Sequence, residues 1–143
     1  MVRQLIDILE SIEGDYSQYR RLEEFGQIVD RIMGSAKSLA VMIPSHKAVL
    51  ESIGLYGELC KAVSYKASQV DNNPELYNIV VALLLDATEM LEEMVERSEN
   101  EELDMRRYLT SAFIDRLKWI DQRFPSNLRG SVAIEGLLKA LGV

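Results

Sequence analysis

The spacing of apolar residues is the feature of this chain that most limits its fold. Apolar side chains recur every three or four residues along most of the chain, and no segment alternates apolar and polar residues as a half-buried strand does. The run that begins at Tyr16 is the clearest case, because its apolar positions form one stripe along a helix. These positions are Leu22, Phe25, Val29, Ile32, Ala36, Leu39 and Ile43. The sequence therefore predicts an all-α protein.

Turn residues divide this pattern into six helical segments. Gly14 ends the first segment, Pro44 ends the second, and Pro74 begins the fourth. Asp15 and Ser45 are the predicted N-caps of the second and third helices. The predicted helices cover residues 2–13, 16–42, 46–70, 74–94, 103–124 and 132–141.

Short connections between long helices are typical of an up-and-down bundle. We expect residues 1–125 to form a four-helix bundle with an extra short N-terminal helix. Residues 126–143 are expected to form a C-terminal amphipathic helix, whose apolar face packs on the bundle or on a second molecule.

Charge and composition narrow the classes of partner. The 143-residue chain has a net charge of −7, which disfavours nucleic acid and anionic membranes. Cys60 is the only cysteine, so an internal disulfide is excluded and a reducing compartment is favoured. No apolar run approaches the ~18 residues that span a bilayer, and the first residues lack the apolar core of a signal peptide. We expect a cytoplasmic protein.

The negative charge is concentrated in one segment. Residues 86–104 carry a net charge of −8, so the rest of the chain is close to neutral at +1. Two interpretations stay open for this acidic segment: a solvated helix face that leads into a polar loop, or a docking surface for a basic partner.

Asp30 is the first candidate for a functional residue. It lies two positions before Ile32, about 200° around the helix, and is therefore predicted to point away from the core. Gly26 and Gly34 lie one turn before and one turn after it, on the same predicted outward face. Two glycines inside an exposed helix cost roughly 1 kcal/mol each relative to alanine. Two interpretations of Asp30 stay open: a solvated acid paired with Lys37 or Arg31, or the centre of a surface that another molecule approaches closely.

The segment that follows Asp30 resembles the phosphoacceptor helix of histidine phosphotransfer (HPt) domains, which carry a pattern like His-x-x-Lys-Gly-Ser-Ala-x-Ser-Leu-Gly. The matching residues are Gly34, Ser35, Ala36, Ser38 and Leu39. Asp30 stands in place of the phosphorylated histidine, Met33 in place of the lysine, and Ala40 in place of the last glycine. The resemblance implies an HPt-like bundle that lacks the family's reactive group.

The residues present do not support phosphoryl transfer. His46, the only histidine, follows Pro44 at a helix start and lies outside the patch around Asp30. An acyl phosphate on an isolated helical carboxylate would need a magnesium site and stabilising cations. One histidine and one cysteine do not make a zinc site, so no metal and no cofactor are predicted.

The resemblance thus implies a pseudo-HPt binding module in two-component, phosphorelay or chemotaxis-like signalling, which docks a receiver domain or a histidine kinase domain. The predicted binding residues are Gly26, Gln27, Asp30, Arg31, Met33, Gly34 and Lys37. One alternative is a helical scaffold or homodimer unrelated to phosphorelay, which makes its contacts through the last helix and the acidic segment. Another is a receiver-domain phosphatase that uses an acid and an amide one turn apart, such as Asp30 and Gln27.

Overall fold

The computed structural model describes residues 2–99, 104–128 and 133–142, and all regular structure within these ranges is helical. The predicted all-α class is therefore confirmed for the described residues. The α-helices are α1 (Val2–Ile12), α2 (Leu22–Met42), α3 (Lys47–Ala67), α4 (Pro74–Glu96), α5 (Ser111–Arg123) and α6 (Ile134–Ala140). Short 3-10 turns cover Tyr16–Arg21, Pro44–His46, Arg97–Glu99 and Met105–Arg107. None of the described helices is both long and apolar enough to cross a bilayer.

The most extensive packing between two helices is that of α2 and α3, which form an antiparallel hairpin. Residues early in α2 face residues late in α3, as the ion pair between Asp30 and Lys61 shows. Helix α4 packs on α3, α1 packs on α4 and α2, and α5 packs on α4. Helix α6 packs on α3 and α5.

One hydrophobic core joins all six helices. Within this core, the buried hydroxyl of Tyr56 in α3 donates a hydrogen bond of 3.0 Å to the carbonyl oxygen of Ala87 in α4. The apolar face of α6, formed by Ile134, Leu137 and Leu138, is buried in this core. The last helix therefore covers the chain's own bundle and does not offer this face to a partner.

The end of the molecule away from Pro44 is closed by tyrosine hydroxyls. Tyr16 donates to the carbonyl oxygen of Val70 and accepts from the backbone N–H of Asn73, both at 2.9 Å. Tyr77 donates to the carbonyl oxygen of Ile12, which ties α4 to the end of α1. The two bonds of Tyr16 therefore join the segment just before α2 to the connection between α3 and α4.

Several predicted helix boundaries are confirmed by local geometry. Gly14 follows α1 with a φ of +75°, a conformation that glycine adopts without a Cβ penalty. Ile43 leaves the helical region before Pro44, with φ −125° and ψ 79°, and α2 ends at Met42 as predicted. The side chain of Asn73 accepts a hydrogen bond from the N–H of Leu76, and so caps α4.

Other predicted boundaries are wrong. Tyr16–Arg21 forms a 3-10 turn capped by Asp15, so the long helix begins only at Leu22. Ser45 does not cap α3, because its hydroxyl contacts the imidazole of His46, and the N-cap position belongs to His46 itself.

The fifth helix also starts later than predicted. It begins at Ser111, and Leu103, the predicted first residue, lies outside the described residues. The hydroxyl of Thr110 accepts from the N–H of Phe113 and sets this start. Tyr108 and Leu109 are buried ahead of the helix, in a turn.

Candidate protein-binding face

Asp30 lies on the exposed side of α2, as predicted, but its cation comes from another helix. Its Oδ1 atom accepts a hydrogen bond of 2.6 Å from Nζ of Lys61 in α3, and both side chains are partly exposed. The sequence interpretation considered Arg31 and Lys37 as partners. Antiparallel packing instead brings the side of α3 next to residue 30, a contact that spacing along α2 alone does not reveal.

The two glycines around Asp30 have different environments. A Cβ on Gly34 would meet no atom within 4 Å, so the backbone there is open to an approaching molecule. Gly26 is buried, and a Cβ on it would lie 3.2 Å from the hydroxyl oxygen of Ser64. The predicted outward position of Gly26 is therefore wrong. This glycine lets α2 and α3 approach each other.

Met33 was predicted among the binding residues on the surface of α2, and this surface position is wrong as well. Its side chain is only 7% exposed and lies against Gly57 of α3, whose Cβ would come within 3.2 Å of Met33 Cγ. Because Gly57 has no side chain, α3 leaves room beneath it, and Met33 fills that space. Met33 is adjacent to Ile32, and its flexible thioether side chain thus widens the buried stripe of α2.

Five of the seven predicted binding residues remain on the surface. Gln27, Asp30, Arg31, Gly34 and Lys37 are all exposed, and their spacing of three and four residues places them along one side of α2. We call these five residues the docking face. Lys61 contacts it from α3 through the carboxylate of Asp30.

A groove between α2 and α3 extends this surface and was missed by the sequence interpretation. It has a volume of about 620 Å³ and includes Lys37 of the docking face. Its apolar lining consists of Ala40, Val41, Pro44, Leu50, Gly54 and Leu55. Gly54 is buried, but no neighbouring side chain in the described residues lies within 4 Å of the position that its Cβ would occupy, so none of them requires a glycine at this position of α3.

Large apolar side chains protrude beside this groove, at the end of the hairpin. The exposed fractions are 42% for Leu39, 82% for Val41, 76% for Met42 and 42% for Ile43. Leu39 and Ile43 were predicted on the buried stripe, which is wrong, because both side chains are exposed and Ala40 is the residue of α2 that is buried at this level. We call these four residues the hairpin end. Monomeric proteins rarely expose contiguous apolar patches larger than a few hundred Å².

Charged residues of both signs line the groove. Lys37 lies on α2 and Glu58 on α3, and no ion pair involves either of them within the described residues. Lys47 and Glu51 form a loose, exposed pair with an N–O distance of 3.9 Å. Residues 37–58 therefore carry no net charge, in a chain whose total is −7.

The groups available for covalent chemistry are poorly placed for it. Cys60 is buried in α3, and burial raises the pKa of its thiol to about 12, so the thiolate is scarce at neutral pH. His46 lies in the 3-10 turn after α2, with its Nδ1 atom 3.0 Å from the hydroxyl of Ser45. No three His, Cys, Asp or Glu side chains in the described ranges are close enough together to hold a metal ion.

Comparison with known proteins returned no matching family model, no similar curated protein and no similar solved structure. The functional interpretation therefore depends on the residues of the docking face, the groove and the hairpin end.

Proposed function

We propose that this chain is a pseudo-HPt protein: a four-helix bundle with additional helices that docks a receiver domain or a histidine kinase domain without accepting phosphate. The observation that carries the proposal is the open backbone at Gly34, one turn from the exposed carboxylate of Asp30. In the HPt-like pattern Asp30 stands in place of the phosphorylated histidine, and Gly34 matches the glycine one turn later. The cytoplasm is the compartment in which such partners would be found.

The docking face supports a protein partner for physical reasons. A helical glycine on an exposed surface weakens the helix by roughly 1 kcal/mol, and no atom of the residues that the structure describes takes up the space it leaves at Gly34. Polar and charged side chains surround that space, in the way a polar rim surrounds the close contacts of an interface. Gly26 and Met33 support the face from within, because they set how closely α3 approaches α2.

The proposal assigns no phosphoryl transfer to Asp30. Its carboxylate already accepts a short hydrogen bond from Lys61, and the imidazole that the HPt pattern requires is missing from this position. Exposed ion pairs of this kind contribute at most about 1 kcal/mol, so a partner's cation can replace Lys61 at little cost. In this proposal Asp30 therefore contributes an adaptable polar contact.

A side chain added at Gly34 tests the docking face directly. Gly34→Arg fills the open space above α2 and should abolish binding to a panel of purified receiver and histidine kinase domains, measured by calorimetry. Gly136→Arg is the matched control, because Gly136 is also an exposed helical glycine with no atom within 4 Å of its Cβ position. Both variants should melt at or slightly above the wild-type temperature, since arginine favours helix more than glycine does.

Binding that survives Gly34→Arg, or no binding of the wild-type chain to any domain of the panel, would overturn this proposal. A phosphate-labelled receiver supplies a second readout. We expect no transfer of label to the chain and no faster loss of label from the receiver. Faster loss that disappears in Gln27→Ala or Asp30→Ala would instead identify a phosphatase.

A further inference from the structure

The hairpin end and the groove beside it are not explained by docking at Asp30. We propose that two copies of this chain pair through the ends of their α2–α3 hairpins, each placing its hairpin end against the groove of the other. The contact would be a four-helix arrangement made from two hairpins related by a two-fold axis. This inference goes beyond the proposed function, because neither a receiver nor phosphate takes part.

The first argument is that the hairpin end and the groove are complementary in shape. Val41 and Met42 protrude from the hairpin, while Leu50, Gly54 and Leu55 line a concave apolar surface next to them. In an isologous interface the same patch occurs on both subunits, so a protrusion must have its own recess nearby. Both parts lie on one hairpin here.

The second argument is that the groove carries charges of opposite sign, which can pair between two copies of the chain. Lys37 lies on the α2 side and Glu58 on the α3 side, and neither has an ion-pair partner in the described parts of the chain. A two-fold axis that runs parallel to the helices brings the α2 side of one copy to the α3 side of the other. Lys37 of each copy would then pair with Glu58 of the other. A partner with charges of mainly one sign would leave one of these two residues unmatched.

The third argument is that copies of a strongly acidic chain meet best where charge is balanced. The whole chain carries −7, yet residues 37–58 sum to zero. Like charges repel across an interface, so a neutral surface is the favourable place for self-association. Gly54 is itself buried, but it lines the groove and leaves the position of a Cβ empty, which adds room for a side chain of the second copy, such as Met42, to approach α3.

The surface is small for a protein–protein interface. The residues of the groove and the hairpin end are fewer than the ~20–30 per side found in a standard interface. We therefore expect a reversible dimer with a dissociation constant in the micromolar range, and monomers at high dilution. Sedimentation velocity between about 1 µM and 1 mM covers this range.

Charge reversal at Lys37 and Glu58 gives the decisive experiment. Lys37→Glu places two acids at each of the two contacts, and Glu58→Lys places two lysines there. Each variant alone should dimerise at least about tenfold more weakly than the wild type. An equimolar mixture of the two variants should form a heterodimer, because both contacts then join a lysine to a glutamate. Only a two-fold pairing of these residues predicts recovery on mixing.

The apolar contact is tested separately. The double variant Val41→Glu with Met42→Glu should weaken dimerisation by more than about 100-fold, because it places unpaired charges in the contact. Ala82→Glu is the matched control, since Ala82 is an exposed alanine on α4 outside the groove, and this variant should dimerise like the wild type. Circular dichroism melting checks that every variant is folded.

A wild-type chain that stays monomeric at about 1 mM, or variants that do not recover dimerisation on mixing, would overturn the inference. These measurements use the chain without any receiver or kinase. A failure here therefore leaves the docking proposal intact, and a failure of receiver binding leaves the dimer intact.

Discussion

Four glycines within α2 and α3 show how one residue type serves two purposes in the same hairpin. Gly26 and Gly57 lie where the helices are closest, and a Cβ on either would contact a side chain of the opposite helix at 3.2 Å. Gly34 and Gly54 have open space in the corresponding position. The first two are therefore explained by packing inside the chain. Among the described residues, no close contact and no unusual backbone angle requires a glycine at the second two, of which Gly34 is exposed and Gly54 is buried; both proposals use the space that they leave.

This difference predicts opposite effects on stability. Gly34→Ala should raise the free energy of unfolding by about 0.4–1 kcal/mol, because it removes backbone freedom from the unfolded chain without a clash. Gly57→Leu should lower it by about 1–3 kcal/mol, because the new side chain must displace Met33 and Val29. Urea unfolding measures both changes. Equal effects of the two variants would contradict the packing described here.

Cys60 makes stability depend on alkaline pH. Burial raises the pKa of its thiol from 9.0 to about 12, so between these values the unfolded chain loses a proton that the folded chain keeps. The free energy of unfolding should therefore fall as pH rises through this window, by up to about 1.4 kcal/mol per pH unit from this group. Urea unfolding at several pH values should show a shallower slope for Cys60→Ala than for the wild type. Parallel slopes would mean that the thiol is accessible to water.

At the scale of elements, helix ends were predicted well where a single residue determines them. Asn73 and Pro74 start α4, and Pro44 follows the end of α2, all as the sequence indicates. The starts of α2 and α5 were missed, because an apolar pattern continues through a tight turn as readily as through a helix. Leu109 is buried in such a turn, ahead of α5.

Substitutions at Asn73, which caps α4, and at Ser45, which was wrongly predicted to cap α3, should differ in their effect on stability. Asn73→Ala should lower the free energy of unfolding by about 1 kcal/mol, since it removes the acceptor for the N–H of Leu76. Ser45→Ala should change it by less than about 0.5 kcal/mol, because Ser45 does not cap α3. Thermal and urea unfolding of both variants provide the measurement. A large loss with Ser45→Ala would show that this serine supports the hairpin after all.

At the scale of the whole molecule, the sequence predicts which helices form but not which side chains meet. The exposed position of Asp30 follows from periodicity, whereas its pairing with Lys61 depends on how α3 lies against α2. The burial of Gly26 and Met33 likewise depends on Ser64 and Gly57, which lie far away along the chain. The groove could not be predicted either, because it exists only between two packed helices.

Helix α6 supplies a test of the packing as a whole. Leu138→Ala should lower the free energy of unfolding by about 2–4 kcal/mol, because this side chain is buried in the common core. Lys139→Ala, one residue further and exposed, should leave stability nearly unchanged. Calorimetry distinguishes the two. A neutral Leu138→Ala would mean that the C-terminal helix does not belong to the folded core in solution.

The hydrogen bonds of Tyr16 have a consequence for where this protein can change shape. They connect the loop between α3 and α4 to the turn before α2 at one pole of the molecule, while at the opposite pole the side chains of Val41 and Met42 are largely exposed. Backbone amides near Asn73 should therefore exchange with deuterium slowly, and those near Met42 quickly. We therefore expect any rearrangement on association to be confined to the hairpin end around Met42, while the rest of the helical scaffold keeps its structure.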